Sequence, residues 1–298
     1  MNQPVILKGL DNPTLSNASP GSNIIDVKTA GVTITGFTIT ETSAAGILVN
    51  GSPDIIDIMG KPLVIYNNIY GNGIGLQNDL TEENADAAMN FWGTNGNGAE
   101  KGKPGAATGT HANNDVEPES GVNYDPWLTA KVVNADITDA SMQLDCDPTN
   151  MLFLDNTGAG VDVTLTGGLV RIDYPMTTLA SALYNGSPYG SSIVPGTAVK
   201  FVDVYVRNYP GGTDAVALVN ISYADVDISG VIEGTLTPYV LVGSSWRAAN
   251  NVEVDDVEQV VRGTIPVSWL AGSPIALVGK NYQVTIAPTT RYVNSHSG

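Results

Sequence analysis

The sequence has few charged residues, and most of those are acidic. Asp and Glu number 30 against 13 Lys and Arg, so the formal net charge is −17 and charged residues make up 14% of the chain, where about 25% is usual. Nucleic-acid phosphates need a basic surface, so this composition excludes nucleic acid as a partner. The same acidity disfavours docking on anionic lipid.

Cysteine is nearly absent. Cys146 is the only one, which excludes an internal disulfide. Its neighbours Asp145 and Asp147 disfavour the thiolate, so we expect no nucleophile there. A small buried hydrophobe is a more common role for such a residue than an intermolecular bridge.

Long apolar runs are also missing, and no stretch reaches the length of a membrane span. The opening residues MNQPVILKGL lack the cationic and apolar regions of a signal peptide. This predicts either a cytosolic protein or a mature or trimmed chain. Low Lys content together with abundant Thr, Ser, Asn and Gly favours an exported protein at the cell surface.

What the first third contains is a series of short apolar segments, each bounded by Gly, Pro, Asn, Asp or Ser. GVTITGFTIT and KPLVIYNNIY begin 30 residues apart, and each is followed by a Gly-Ile-x-(Val/Leu) stretch. The glycines of IYNNIYGNGIGLQN (65–78) disfavour a helix by about 1 kcal/mol each. We interpret this as a degenerate repeat of one long, irregular turn.

Such a repeat predicts a right-handed parallel β-helix. Aliphatic side chains would point into the bore and stack on those of the next coil. Asn side chains at the bends would stack as ladders of amides, and Gly would supply the positive φ that sharp bends need. The edge of an ordinary antiparallel sandwich with polar loops is the alternative, but it gives no reason for the repeat.

Three strings in this region resemble the closing segment of right-handed parallel β-helix repeat proteins, which are pectin-lyase-like in fold. They are YNNIYGNGIGLQN, DAAMNFWGTNGNG (86–98) and GVNYDPWLTA (121–130), so the match spans about residues 24–130. Phe91-Trp92 replaces the usual Trp pair. The resemblance implies a surface protein of which this chain carries the C-terminal end of the helix.

The sequence divides into three parts. Residues 1–92 are predicted to form the coils, and residues 93–130 a Gly/Asn-rich surface loop with a closing segment. In that segment Trp127 would plug the bore or anchor the next domain. Residues 131–298 alternate with period two, as in Phe201–Val206, where Phe201, Asp203 and Tyr205 share one face.

The alternating segments predict an antiparallel β-sandwich of roughly seven to nine strands. Residues 221–279 resemble the sandwich modules that recur in bacterial and archaeal surface proteins. The resemblance implies a spacer or adhesive strut. The expected fold is therefore all-β: a short right-handed parallel β-helix followed by an antiparallel β-sandwich.

The residues offer little chemistry, and we expect no catalytic residues. The cations before residue 93 are Lys8, Lys28 and Lys61, which leaves no convincing base for a lyase, and Asp54 and Asp57 share one short strand. His111 and His296 have no partner at the spacing of metal ligands. No cofactor is expected, with Ca²⁺ as the one open candidate.

Four acidic residues and four Asn residues are weaker candidates. Asp225, Asp227, Asp255 and Asp256 could bind Ca²⁺ through oxygen ligands, although solvated turns are the more common role. The sequons at Asn17, Asn50, Asn185 and Asn220 permit glycosylation. Tyr184, Tyr189 and Tyr209 lie in Gly- and Pro-rich segments, where they could stack on sugars or pack on their own surface.

These observations predict a non-enzymatic structural protein of the cell surface. The first coil, with Val5, Ile6 and Leu7, would expose the edges of parallel strands. A second copy could cover that edge by strand addition and so build a layer, sheath or filament. A carbohydrate-binding or polysaccharide-cleaving β-helix and a fragment of a larger adhesin are the alternatives.

Overall fold

The computed structural model describes most of the chain and is nearly all β-strand, as the sequence predicted; the exception is a 3-10 turn at Val267–Trp269. The described residues are 5–16, 19, 21–28, 32–50, 62–80, 85–93, 103–104, 115–117, 121–139, 151–166, 177–189, 194–209, 214–225 and 227–282. Several residues considered above lie outside them, namely Asn17, Asp54, Asp57, Lys61, His111, Asp145, Cys146, Asp147 and His296.

The first part of the chain forms a parallel β-helix, which the sequence predicted. Its strands are β1 (Val5–Lys8), β2 (Thr14–Ser16), β3 (Ile25–Val27), β4 (Val32–Thr35), β5 (Thr38–Thr40), β6 (Ala45–Val49), β7 (Leu63–Ile65), β8 (Asn68–Tyr70), β9 (Ile74–Asn78), β10 (Ala85–Asp86), β11 (Asp115–Glu117) and β12 (Val122–Asn123). They form three parallel sheets, in the orders β1-β4-β7-β10-β12, β2-β5-β8 and β3-β6-β9-β11. Successive strands of the chain lie in different sheets, and each of the first three coils contributes one strand to each sheet. In the next coil, an isolated bridge from Phe91 to Asn68 takes the place of a strand in the β2-β5-β8 sheet.

The register places like residues above one another in the bore. Ile39 pairs with Ile69, and Ile47 pairs with Leu76. All four are fully buried in one cluster, which also contains Trp92. β11 and β12 continue the sheets beyond residue 93, so part of the segment 93–130 belongs to the coil.

Asn side chains join the coils at the bend between the first two sheets, as the ladder interpretation predicted. Asn67 and Asn90 are fully buried, and Nδ2 of Asn67 donates to Oδ1 of Asn90 at 3.1 Å. Oδ1 of Asn67 accepts from the backbone N–H of Phe37 at 3.0 Å. Because buried backbone groups need partners, these amides replace the strand hydrogen bonds that the bend interrupts.

A column of residues with left-handed backbone lies beside this ladder. Gly36, Tyr66 and Met89 have φ of 77°, 55° and 56°, and they occupy the same position in successive coils. The N–H of Gly36 donates to the carbonyl of Tyr66 at 3.2 Å, and the N–H of Tyr66 donates to that of Met89 at 3.1 Å. Only Gly36 avoids the strain of this conformation.

The second part is an antiparallel β-sandwich, again as predicted, but with eleven strands among the described residues where seven to nine were expected. They are β13 (Val132–Asp139), β14 (Met151–Asn156), β15 (Val161–Thr166), β16 (Thr178–Tyr184), β17 (Thr197–Arg207), β18 (Val216–Ser222), β19 (Val231–Val242), β20 (Ser245–Ala248), β21 (Asn250–Asp255), β22 (Val260–Pro266) and β23 (Ser273–Asn281). The sheet orders are β13-β16-β17-β23-β19-β20 and β14-β15-β18-β22-β21. Aliphatic side chains of both sheets form the core between them.

The six-stranded sheet is covered on both faces at β16 and β17. Val202, Val204 and Val206 of β17 point into the sandwich core. Phe201 and Tyr205 alternate with them and pack against a second cluster, which contains Leu63 and coil residues around it. The alternation of β17 was predicted, but the coil covers the face that carries Asp203.

Candidate functional site

The first coil is an open edge of the β-helix. β1, β2 and β3 each end their sheet, so along one side none of them has a strand neighbour among the described residues. Such edges carry backbone N–H and C=O groups that can pair with another strand. Because all three edges lie in one coil, they form a single end face, which we call the coil end.

No residue in the described part of the chain covers the bore at the coil end. Val5 and Leu7 pair in register with Val32 and Ile34, which are buried in the bore. Val5 is 51% exposed and Leu7 39% exposed. Ile6 lies on the opposite face of β1 and packs against the junction with the sandwich. Of the three predicted edge residues, Val5 and Leu7 therefore lie at the mouth of the bore, and Ile6 lies at the junction.

The opposite end of the bore is closed by aromatic side chains. Tyr124 and Trp127 are half-buried against the bore cluster, and their ring centroids are 6.2 Å apart. Trp127 thus packs on the bore cluster, as in the first of its two expected roles. The backbone edges of β11 and β12 end their sheets at this end of the β-helix among the described residues.

The junction between coil and sandwich is held by polar contacts as well as by apolar packing. Nδ2 of Asn68 donates to the carbonyl of Val132 at 2.9 Å, and the N–H of Val132 donates to Oδ1 of Asn68 at 3.0 Å. Lys8 forms an ion pair with Asp136. These contacts tie strands of the coil directly to β13, the first strand of the sandwich.

A buried carboxyl group lies inside this junction. Asp203 is fully buried, and the hydroxyl of Tyr184 donates to its Oδ2 at 3.0 Å. Tyr66 reaches the same place from the coil and is also fully buried, with its ring centroid 6.4 Å from that of Tyr184. Oδ1 of Asp203 and the hydroxyl of Tyr66 have no partner within hydrogen-bond distance and angle among the described residues, although Tyr66 is close enough to Asp203 to lower the pKa of that carboxyl.

Burial changes the acidity of this group. Desolvation raises the pKa of Asp203 to about 7, and the hydrogen bond from Tyr184 opposes part of that rise. Burial, and then the nearby Asp203 carboxyl, raise the pKa of Tyr66 and of Tyr184 well above the usual value, so both hydroxyls stay protonated. One feature of the sequence indicates this cluster: Asp203 lies between Phe201 and Tyr205 on one face of an alternating strand.

A cleft of about 550 Å³ opens at one end of the sandwich, between the two sheets. Lys200 lines it, and its Nζ donates to the carbonyl of Ser222 at 2.9 Å. Burial lowers the pKa of Lys200, and Asp227 opposes that shift. The ammonium group of Lys200 thus forms a hydrogen bond with the backbone of the cleft wall, which is a structural role.

The four acidic residues proposed for Ca²⁺ lie in turns of the sandwich. Asp225 accepts from Nε2 of Gln259 at 2.6 Å, and Asp227 accepts from the N–H of Ala224 at 3.0 Å. Asp255 accepts from the N–H of Glu258 at 2.9 Å, which, with Arg262, lowers the pKa of that carboxyl. Asp256 is exposed.

The described residues contain no group of three or more His, Cys, Asp or Glu side chains arranged to hold a metal ion. They also contain no helix that is long and apolar enough to cross a membrane. Ca²⁺ binding by the four acidic residues stays a prediction.

Three of the sequon residues are described, and their surroundings differ. Asn50 and Asn185 are exposed, although Oδ1 of Asn185 accepts from the N–H of Lys131 at 3.0 Å. Asn220 is half-buried in β18, a central strand of the five-stranded sheet. The room for a glycan is therefore greatest at Asn50. The glycosylation of these sites stays a prediction.

The tyrosines expected in loops are placed differently by the structure. Tyr184 is the last residue of β16 and is buried, so it is not available to a sugar. Tyr189 is half-buried, and its hydroxyl donates to the carbonyl of Gly272 at 3.3 Å. Tyr209 packs against the sandwich core. Packing on the protein's own surface, the second expected role, is the one observed.

A comparison with known proteins finds no matching family model, no similar curated protein and no similar solved structure.

Proposed function

We propose that this chain is a non-enzymatic structural protein of the cell surface, and that its copies assemble into a layer, sheath or filament through the coil end. The single observation that supports this is the coincidence of three open strand edges with an open apolar bore mouth. A lone exposed edge could be covered by any extended segment. Three edges around an apolar mouth are best matched by another coil.

A second copy of the chain can supply the matching surface. Strand addition satisfies the backbone groups of β1, β2 and β3 together. Burying Val5 and Leu7 removes apolar surface from water, which stabilises the contact by about 25 cal/mol per Å². In a head-to-tail contact, the coil end of one copy adds to the opposite end of the next, where β11 and β12 also end their sheets among the described residues. Such contacts continue into fibres or tubes, whereas a symmetric contact between two coil ends closes as a dimer.

The charge of the chain bears on the conditions of assembly. A net charge of −17 makes copies repel one another at low ionic strength. Divalent cations such as Ca²⁺ would reduce that repulsion, and the acidic turns of the sandwich offer oxygen ligands. We therefore expect assembly to be promoted by Ca²⁺ and to need no other cofactor.

Electron microscopy of the purified chain at rising concentration, with and without Ca²⁺, tests the proposal. Layers, tubes or filaments that lengthen with concentration support it. A monodisperse monomer under every condition contradicts it. A longer natural form of the protein, with further coils covering the coil end, would also contradict it.

A further inference from the structure

The buried carboxyl group of Asp203 suggests a role for the junction beyond assembly. Asp203 is the one acidic residue on the face of β17 that the coil covers, and it meets a tyrosine from each part of the chain. We propose that Asp203 couples its own protonation to the docking of the coil on the sandwich. The junction is tight when the carboxyl is neutral and opens more often when the carboxyl is ionised.

The geometry supports this coupling in two ways. First, docking buries Asp203 under the coil, since Tyr66 and the surrounding apolar cluster cover that face. Second, the hydrogen bonds in the junction are weak for a carboxylate: the hydroxyl of Tyr184 donates to Oδ2 of Asp203 at 3.0 Å, whereas Tyr66 and the N–H of Val204 approach the carboxyl without giving Oδ1 a partner within hydrogen-bond distance. Opening would return the carboxylate to water, so ionisation favours the open form.

The other ionisable groups near Asp203 do not neutralise it. Tyr184 and Tyr189 lie near Asp203 on the sandwich side, and Tyr66 faces it from the coil. Tyr205 is the next residue on its face of β17. On its other side β23 places Pro274 opposite Asp203, and proline has no ionisable group.

The charged groups at the rim of the junction are paired or act elsewhere. Arg207 lies 4.0 Å from Asp86 of β10. Burial and Asp86 raise the pKa of Tyr205, and Arg207 opposes that rise. Burial, Asp203 and Asp125 raise the pKa of Tyr189. No Lys or Arg among the described residues forms an ion pair or hydrogen bond with Asp203.

Hydrogen exchange measured by mass spectrometry tests the coupling on the full chain. Peptides of the junction, over residues 62–70 and 178–184, are compared with peptides over residues 216–222, in the five-stranded sheet. Rates are corrected for intrinsic exchange between pH 5 and 9. In the wild type, we expect corrected exchange in the junction to rise about tenfold per pH unit from pH 5 to about pH 7, because the carboxyl stays protonated in the closed junction but ionises when the junction opens. Above about pH 7 the corrected rate should level off, while the reference peptides stay unchanged throughout.

Asp203→Asn removes the ionisable group and should abolish this rise. Asp86→Asn makes the same change in a carboxylate of the same junction and should leave the rise in place. A flat wild-type profile would overturn the proposal, as would an unchanged rise in Asp203→Asn, or a parallel rise in the reference peptides.

A second variant keeps the proposal testable if Asp203→Asn does not fold. Tyr184→Phe removes the hydrogen bond that favours the ionised carboxyl, so the rise should continue to a higher pH before it levels off than in the wild type. Levelling off at the same pH in Tyr184→Phe and in the wild type would overturn the proposal.

Discussion

Nδ2 of Asn67 donates to Oδ1 of Asn90 at 3.1 Å, and this bond joins two successive coils at a bend. Asn90 also serves the backbone, since its Nδ2 donates to the carbonyls of Val64 and Ala87 at 2.7 Å each. Its Oδ1 accepts from the N–H of Asn67 at 2.9 Å. One buried side chain therefore satisfies several backbone groups that the bend removes from the sheets.

Asn90→Ala should destabilise the protein strongly. Each buried backbone group left without a partner costs about 1–3 kcal/mol, so we expect the free energy of unfolding to fall by roughly 3 kcal/mol. Chemical denaturation of wild type and variant measures this. Asn50→Ala is the control, because Asn50 is exposed, and it should change stability by less than about 0.5 kcal/mol. Equal losses in the two variants would contradict the ladder.

The pH dependence of stability should carry the signature of Asp203. Its folded pKa of about 7 lies above the usual value of 3.8. A raised pKa means that the folded state binds a proton that the unfolded state has already released. This contribution to stability is fully present below about pH 4, and it is lost as pH rises from about 4 to 7.

The corresponding free energy is roughly 4 kcal/mol, from about 1.4 kcal/mol per pKa unit. We expect Asp203→Asn to reduce the difference in unfolding free energy between pH 5 and pH 8 relative to the wild type. Urea denaturation at the two pH values measures both differences. The same pH dependence in wild type and Asp203→Asn would show that another group is responsible.

Removing either of two tyrosine hydroxyls in the junction should change the free energy of unfolding, in opposite directions. The hydroxyl of Tyr66 is buried near Asp203 but has no partner within hydrogen-bond distance and angle among the described residues, whereas the hydroxyl of Tyr184 donates to Asp203 at 3.0 Å. At pH 8 we expect Tyr66→Phe to raise the free energy of unfolding by up to about 1 kcal/mol, and Tyr184→Phe to lower it by about 1–3 kcal/mol.

Thermal and chemical unfolding of the two variants provide the comparison, and each serves as the control for the other. Both remove one oxygen from a buried tyrosine, so the loss of volume is the same. A loss of stability in Tyr66→Phe as large as that in Tyr184→Phe would show that the Tyr66 hydroxyl has a partner that matters.

The architecture was predictable because its signals are local. Gly and Asn at the bends and aliphatic residues between them repeat from coil to coil, and the sandwich strands alternate with period two. The junction was not predictable in this way. Whether Phe201, Asp203 and Tyr205 face water or another part of the chain depends on how coil and sandwich dock, and alternation alone does not encode that.

Tyr66 shows the same limit from the coil side. It belongs to the motif IYNN, which predicted a bend, but its left-handed backbone and full burial come from its position. Tyr66 is at the position that Gly36 occupies in the preceding coil. Residues of the sandwich cover its side chain. A bulky residue with positive φ is strained, and packing against Tyr184 and the surrounding cluster offsets that strain.

The central claim, that copies associate through the coil end, is tested most directly by sedimentation velocity over a range of concentrations. The wild type should form species larger than the monomer as concentration rises. The double variant Val5→Lys/Leu7→Lys, which places two charges in the bore mouth, should stay monomeric while its circular dichroism remains that of a folded β protein.

Leu10→Lys is the matched control, because Leu10 is 70% exposed but lies outside the edge strands. It adds the same kind of charge nearby and should associate as the wild type does. Association that is equally strong in wild type, double variant and control would contradict the account, as would a wild type that stays monomeric at every concentration.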